Sequence, residues 1–416
     1  MTSESLDRAF VWSWPPRASE PLVAGVVEQR GDRITFAYGQ SYRGGEVALP
    51  LYLPELPVRQ GVIDPLPGLR VAGCIADAGP DGWGQRVILN RLSRARVTDD
   101  PGRLSLLTYL LESGSDRSGA LDFQRSATDY VPRRSDSASL DELVEAADRV
   151  ERGVALSPAL DRALLHGSSI GGARPKALLE DGGRRLIAKF SSNGDTYPVV
   201  KAEFVAMELA RRAGLDVARV QLTRGLGRDV LLVERFDRVG GEAIRRPMVS
   251  ALTILALDEL AARYASYADL AVQVRERFSE PERTLHELFA RITFNVLIGN
   301  TDDHARNHAA FWDPVAELLT LTPAYDICPM LRGGGEASQA MAIAPDGWRM
   351  SQVEGCVATA STYRLSEREA REIVQRQVEV IRSDWVEVCE MAEMGDAERD
   401  LLWGRAVLNP YALRST

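Results

Sequence analysis

Apolar and polar positions alternate in two runs near the start of the chain, "LVAGVVEQ" and "RITFAYGQSY", on either side of Arg30-Gly31-Asp32. A period of two around a polar break predicts a β-hairpin within residues 22–53. "LSLLTYLLESG" reads as a short apolar helix with Gly114 placed to stop it, and with "DAGPDGWGQRVILNRL" it completes a small α+β unit. The polar stretch "TDYVPRRSDSAS" at 128–139 has no periodicity and reads as a linker. Ser139 and Glu142 then stand at capping-box spacing before "LDELVEAADRVERG". From Leu164 the pattern predicts strand, Gly-rich turn, strand, "DGG" turn and strand, ending on Lys189. "VVKAEFVAMELARRAG" returns to helical spacing, with Phe204, Met207 and Leu209 on its apolar side and Gly214 at the C′ position; "RDVLLVERFDR" is a further strand. Beyond Met248 helical spacing dominates, in "ALTILALDELAARYAS", "LHELFARITFNVLIG" and the long run from Ser366, where Glu369 forms a second capping box. A β-rich region is thus followed by a helical one.

At 416 residues the chain is long enough for two or three domains. The pattern divides it into an N-terminal α+β subdomain over 1–130, a lobe with the Gly-rich turn and strands over 131–247, and a helical lobe over 248–416. Hydrophobic and charged fractions of 45% and 26% are those of an ordinary globular protein. A net charge of −9 argues against coating nucleic acid through the protein's own field. The N-terminus lacks a basic segment followed by an apolar one, and no apolar run of about 18 residues occurs, so a cytoplasmic chain without a membrane span is expected. Four cysteines far apart, with no CxxC, suggest buried thiols and neither a zinc ribbon nor a disulfide framework.

The polar residues that remain fit phosphoryl transfer, which needs a cover over the phosphates, a cation upon them, metal ligands and a group that orients the attacking hydroxyl. "GSSIGGARPK" at 167–176 is Gly-rich, so backbone N–H groups could approach anionic oxygens closely, although it is not a Walker A and an ordinary hairpin turn also accounts for it. Lys189 sits in the apolar strand "LIAKF", either paired with Glu203 of the next helix or snorkelling from a sheet edge. In "GNTDDHARNH", Asp302 and Asn307 are five apart, the interval from aspartate to asparagine in the kinase catalytic loop. Asp302 would then orient the hydroxyl, with Asn307 and Asp326 of "PAYDICP" as magnesium ligands. His304 and His308, four apart, raise a zinc site as the competing reading, but the glutamate of a zincin is missing. Glu234, Arg235 and Phe236 end a strand where a kinase hinge would contact adenine, or form a salt-bridged turn.

Taken together, "SSIGGARPKALL", "LIAKF", "AEFVAMELARRAGL", "LLVERFDR", "NVLIGNTDDHARNHAAFW" and "TPAYDICP" resemble, in order, the HipA toxin kinases of bacterial type II toxin–antitoxin modules, and "DAGPDGWGQRVI" is similar to a feature of that family's first subdomain. The resemblance covers about residues 20–390. It implies an α+β, two-lobed, protein-kinase-like fold and a serine/threonine kinase using ATP and Mg2+. It further implies a phosphate loop of Gly171, Gly172, Ala173, Arg174, Pro175 and Lys176, an ATP lysine at Lys189, a hinge at Glu234 to Phe236 and a catalytic Asp302. His304 and Asn307 would contact nucleotide or metal, and Asp326 would hold magnesium beside Tyr325. Autophosphorylation of Ser169, or of Ser168 beside it, would eject the loop and silence the enzyme. The implied partners are a HipB-like helix-turn-helix antitoxin, operator DNA through that antitoxin, and an aminoacyl-tRNA synthetase as substrate, with growth arrest as the outcome. Arg174-Pro175 and Asp303 depart from the Gln-Glu-like pair and the glycine often found there. A small-molecule kinase and a catalytically silent repressor component are the alternatives.

Overall fold

The computed structural model describes residues 7–45, 47–92, 104–133, 138–165, 167–239 and 244–414. The chain forms two compact units: one of Met1–Gly194, Arg224–Val249 and Phe311–Glu317, the other of Asp195–Thr223, Ser250–Ala310 and Leu318–Thr416.

The first unit opens with β1 (Arg8–Ser13), β2 (Leu22–Arg30) and β3 (Arg33–Tyr38), joined later by β4 (Leu121–Gln124) in an antiparallel sheet of order β3-β2-β1-β4. The β2–β3 hairpin forms around Gly31, whose φ of +63° is open to glycine at little cost. The short helix Leu106–Glu112 starts on the Ser105 cap and ends at Ser113, already extended, so Gly114 lies beyond the stop and does not make it.

A second sheet holds β5 (Lys176–Asp181) and β6 (Arg184–Phe190). Gly182 and Gly183 both take positive φ in their two-residue turn, the conformation that twists with a hairpin. After β7 (Val220–Gly225), which carries the chain back into this unit, β8 (Arg228–Glu234) pairs with β6 on its other side. Against this sheet pack the helix Leu140–Glu151, closed by the Ser139–Glu142 capping box, and the helix Pro158–Leu165. The latter corrects the strand expected from Leu164: Leu160, Ala163 and Leu164 are buried at helical spacing behind Pro158 at the first helical position, so tertiary burial resolved an ambiguous apolar run as helix. Of the linker, residues 134–137 lie outside the described residues, as does His166.

The second unit is built on the helices Val199–Arg212, Tyr267–Arg277, Pro281–Ile298 and Glu367–Met391, the last begun by the Ser366–Glu369 capping box. The helix Pro281–Ile298 is buried all round from Arg291 onward; its one buried cation, Arg291, is satisfied by Glu287 at 2.8 Å and the Thr322 carbonyl at 2.9 Å. "ALTILALDELAARYAS" does not form one helix. Only Ala251–Ile254 is α-helical, Ala256 turns to φ +52°, and the Asp258 carboxylate accepts from Ala261 N–H at 2.8 Å, a local bond that competes with helix continuation. All four cysteines are unbridged. Among the described residues no helix is long and apolar enough to cross a membrane.

Candidate active site

In the second unit the helix Pro281–Ile298 stops at Gly299, whose φ is +80° and where a Cβ would lie 2.5 Å from the Ala406 carbonyl oxygen. Only glycine meets both demands. The loop that follows places two adjacent aspartates in opposite surroundings. Asp303 is buried, and its carboxylate accepts from the Tyr267 hydroxyl, from Asn295 Nδ2 at 2.6 Å and from His308 Nε2 at 2.9 Å. Burial pushes its pKa up, but His308 and the hydroxyl outweigh that and hold it below the ordinary carboxylate range. Tyr267 is driven well above its usual value by burial and by the same carboxylate. Asn300 Nδ2 closes the network on Asn295 Oδ1 at 3.0 Å.

Asp302 is exposed, and its pKa is raised, first by partial desolvation and then by the charges of Asp326 and Asp303, against the opposing effect of His304. Asn307 ends the 3-10 turn Ala305–Asn307; its Nδ2 donates to the Asp302 carbonyl at 3.3 Å. Tyr325 donates to the Arg306 carbonyl at 2.7 Å, tying the "PAYDICP" segment to the loop. The next residue, Asp326, takes φ +60°, a left-handed conformation uncommon for a side chain other than glycine and a form of strain that gathers at functional sites. The loop thus brings Asp302, Asn307, Tyr325 and Asp326 together over a base formed by Asp303. His304 and His308 share no helix face, and His308 is engaged below the loop; among the described residues no three His, Cys, Asp or Glu are grouped as a metal would require.

In the first unit the Gly-rich loop runs from the Pro158–Leu165 helix into β5 and is bound to the segment Asp81–Arg86. Gly172 N–H donates to Asp81 Oδ1, Trp83 N–H to the Gly172 carbonyl at 3.0 Å, Trp83 Nε1 to the Lys176 carbonyl at 2.8 Å, and Arg86 to the Ala173 carbonyl at 2.5 Å. Lys176 is the first residue of β5, directly across from Lys189 of β6, and its ammonium turns back onto the Gly171 carbonyl at 2.5 Å. Ser168 and Ser169 are buried. The Ser168 hydroxyl donates to the Leu165 carbonyl at 2.7 Å and accepts from Gly114 N–H, while Ser169 donates to the Asp116 carbonyl at 3.2 Å.

At the end of β8, Arg235 N–H is taken by the Arg185 carbonyl at 2.9 Å, and its buried guanidinium bridges Asp116 at 3.0 Å and Asp237 at 2.8 Å. Burial works against ionisation of Asp237, but Arg235 and Arg238 prevail and bring its pKa down to about 2. Phe236 meets Phe311 edge to face at 5.9 Å. Lys189, Glu234, Arg235 and Phe236 lie in the first unit, Glu203 and the aspartate loop in the second. Sequence reasoning missed Asp81, Trp83 and Arg86 as holders of the Gly-rich loop; "PDGWGQR" is conspicuous, but no local signal links it to residues some ninety positions on.

Residues 168–385, slightly more than half of the chain, match the HipA-like C-terminal domain, and residues 19–124 match the HipA N-terminal domain. The chain belongs to the HipA family. It is 28% identical over 163 residues to the putative kinase Y4mE of Sinorhizobium fredii, a stretch that is 35% of this chain and 39% of that protein. It is 27% identical over 185 residues, 38% of this chain, to the serine/threonine-protein kinase toxin HipA of Shewanella oneidensis, covering 42% of it. The chain therefore spans about two fifths of the length of these curated relatives. A chain of the Shewanella oneidensis MR-1 complex of HipA, HipB and operator DNA superposes with a TM-score of 0.66 at 20% identity, over 92% of this chain and 94% of that one. The fold is accordingly the α+β fold of HipA, and the relatives are named as kinases.

Proposed function

We propose that this HipA-family chain is an ATP-dependent serine/threonine protein kinase acting as the toxin of a type II toxin–antitoxin module. The observation that carries this reading is the division of labour between neighbours: Asp303 is held beneath the loop by three donors, while Asp302 stays accessible, its pKa raised by partial desolvation and, after that, by the nearby charge of Asp326. A pair of carboxylates that oppose each other's ionisation, with an asparagine amide beside them, suits a hard divalent cation, which needs only one or two protein ligands when phosphates supply the rest. Asp326 and Asn307 would hold Mg2+, which supplies charge neutralisation on the phosphates when bound. Asp302 would orient the attacking hydroxyl. Gly171 to Lys176 and Lys189 would cover and pair the phosphates of ATP, with Glu203 as the lysine's partner, Glu234 to Phe236 as the adenine-side wall, and His304 and Tyr325 beside the metal ligands.

Autophosphorylation would fall on Ser169, whose hydroxyl is held by a single bond to Asp116 where Ser168 is held by two, and either serine must first leave its buried position. Following the Shewanella oneidensis complex, a HipB-like antitoxin would bind this chain and bring it to operator DNA. An aminoacyl-tRNA synthetase is the proposed protein substrate, and the cytoplasm the compartment.

The test is transfer of labelled phosphate from ATP by the purified chain. Wild type should label Ser169, and Asp302→Asn should reduce transfer by about 10²–10⁴-fold with unfolding unchanged. Full transfer by Asp302→Asn would overturn the assignment. No transfer with intact nucleotide binding would favour a silent repressor component, and transfer to a small molecule but to no protein would favour a metabolic kinase.

A further inference from the structure

The anion-binding atoms of a Gly-rich loop are its backbone N–H groups. Here the Gly172 N–H is already occupied by a carboxylate, that of Asp81. Asp81 precedes the helix Gly82–Leu92, where an aspartate ordinarily accepts from its own helix's first turn. Its side chain turns to the loop, with Oδ2 only 3.0 Å from where a Cβ on Gly171 would stand, so the carboxylate lies along the Gly171–Gly172 backbone. Gly172 has φ +107°, and a Cβ there would overlap the Lys176 ammonium. The Gly171 carbonyl and Gly172 N–H belong to one peptide and point opposite ways, so the Lys176 ammonium takes one side and the Asp81 oxygen the other, the side on which a phosphate oxygen would be received.

On the reading that this loop takes nucleotide phosphate, we propose that Asp81 is a positioning residue that stands in for a phosphate oxygen: it keeps the glycine loop formed in the absence of nucleotide and must be displaced when a phosphate arrives. Trp83 and Arg86 hold the loop by its carbonyls and do not compete, because their bonds fall on the Gly172, Lys176 and Ala173 oxygens. The loop is then preformed, and its affinity for phosphate is set by a competitor within the chain.

The experiment compares binding of ATP, ADP and adenosine by the full chain, as wild type, Asp81→Asn and Arg86→Ala. Removing one charged competitor for an N–H should tighten ATP and ADP roughly ten-fold in Asp81→Asn. Adenosine, which carries no phosphate, should bind as before, and Arg86→Ala should not tighten ATP. In turnover, the KM for ATP should fall in Asp81→Asn without a rise in kcat. Unchanged or weaker ATP binding in Asp81→Asn, equal tightening of adenosine, or equal tightening by Arg86→Ala would each overturn the proposal. Failure of wild type and Asp81→Asn alike to bind any nucleotide would instead remove the kinase reading on which it rests.

Discussion

The aspartate loop and the glycine loop are held in place by opposite means. The aspartate loop is supported from beneath by side chains, with Asp303 at the centre of bonds from Tyr267, Asn295 and His308, two of them within eight residues of it in sequence. The glycine loop is held from outside by its backbone, through bonds to Asp81, Trp83 and Arg86. The first loop is built on a buried side-chain network; the second is gripped by its carbonyls and by one carboxylate on its N–H.

The largest effect should come from breaking the base. Asp303→Ala leaves His308, Tyr267 and Asn295 without their acceptor and should cost about 3–5 kcal/mol in denaturant unfolding, with loss of phosphoryl transfer. Retention of wild-type stability would mean that the loop is held by something else. Acid probes the wall behind the glycine loop, because Asp237 accepts from Gly119 N–H while the neighbouring Asp116 carbonyl receives Ser169. The Asp237 pKa is about 2 in the fold against an ordinary 3.8, so its ionised form favours folding by about 2 kcal/mol at neutral pH. That contribution is fully present above about pH 4 and is lost as pH falls toward 2; Asp237→Asn should flatten this part of the stability profile.

A smaller effect isolates the outside grip. Trp83→Phe keeps an aromatic ring, though a smaller one, and withdraws the indole donor from the Lys176 carbonyl; lost bond and lost packing together should cost at least about 1–2 kcal/mol while speeding proteolysis within 167–176 and leaving Asp303-dependent stability untouched. Smallest is Ser139→Ala, at about 1 kcal/mol, which removes a helix cap whose bonds are to Glu142 and sets the scale of a purely structural change.

The same contrast governs what the sequence could tell. The β2–β3 hairpin, both capping boxes, the Gly214 and Gly299 helix ends and the Asp302-to-Asn307 interval are specified within a few residues, and each can be read from residue types and spacing. The helix Pro158–Leu165 and the break at Ala256 could not, since burial and one side-chain bond from Asp258 decided between conformations that the local pattern allowed equally. Asp303 was conspicuous as a second carboxylate, but its role follows from Tyr267 and Asn295, which lie on two different helices. The grip on the glycine loop joins positions 81–86 to 172–176 and leaves no trace in either stretch alone.

The contact of Gly299 with Ala406 has a consequence for the order in which the molecule can become competent. Leu408 N–H also bonds the Leu297 carbonyl at 2.8 Å, so the last turn before the aspartate loop rests on residues more than a hundred positions later. A ribosome that has released the loop has not yet released the segment that seats it. A chain cut after Leu402 should therefore bind its loop region loosely and transfer no phosphate, whereas retained transfer would show that the seat is dispensable. The geometry of the aspartate loop thus waits on synthesis of the segment that holds Ala406 and Leu408.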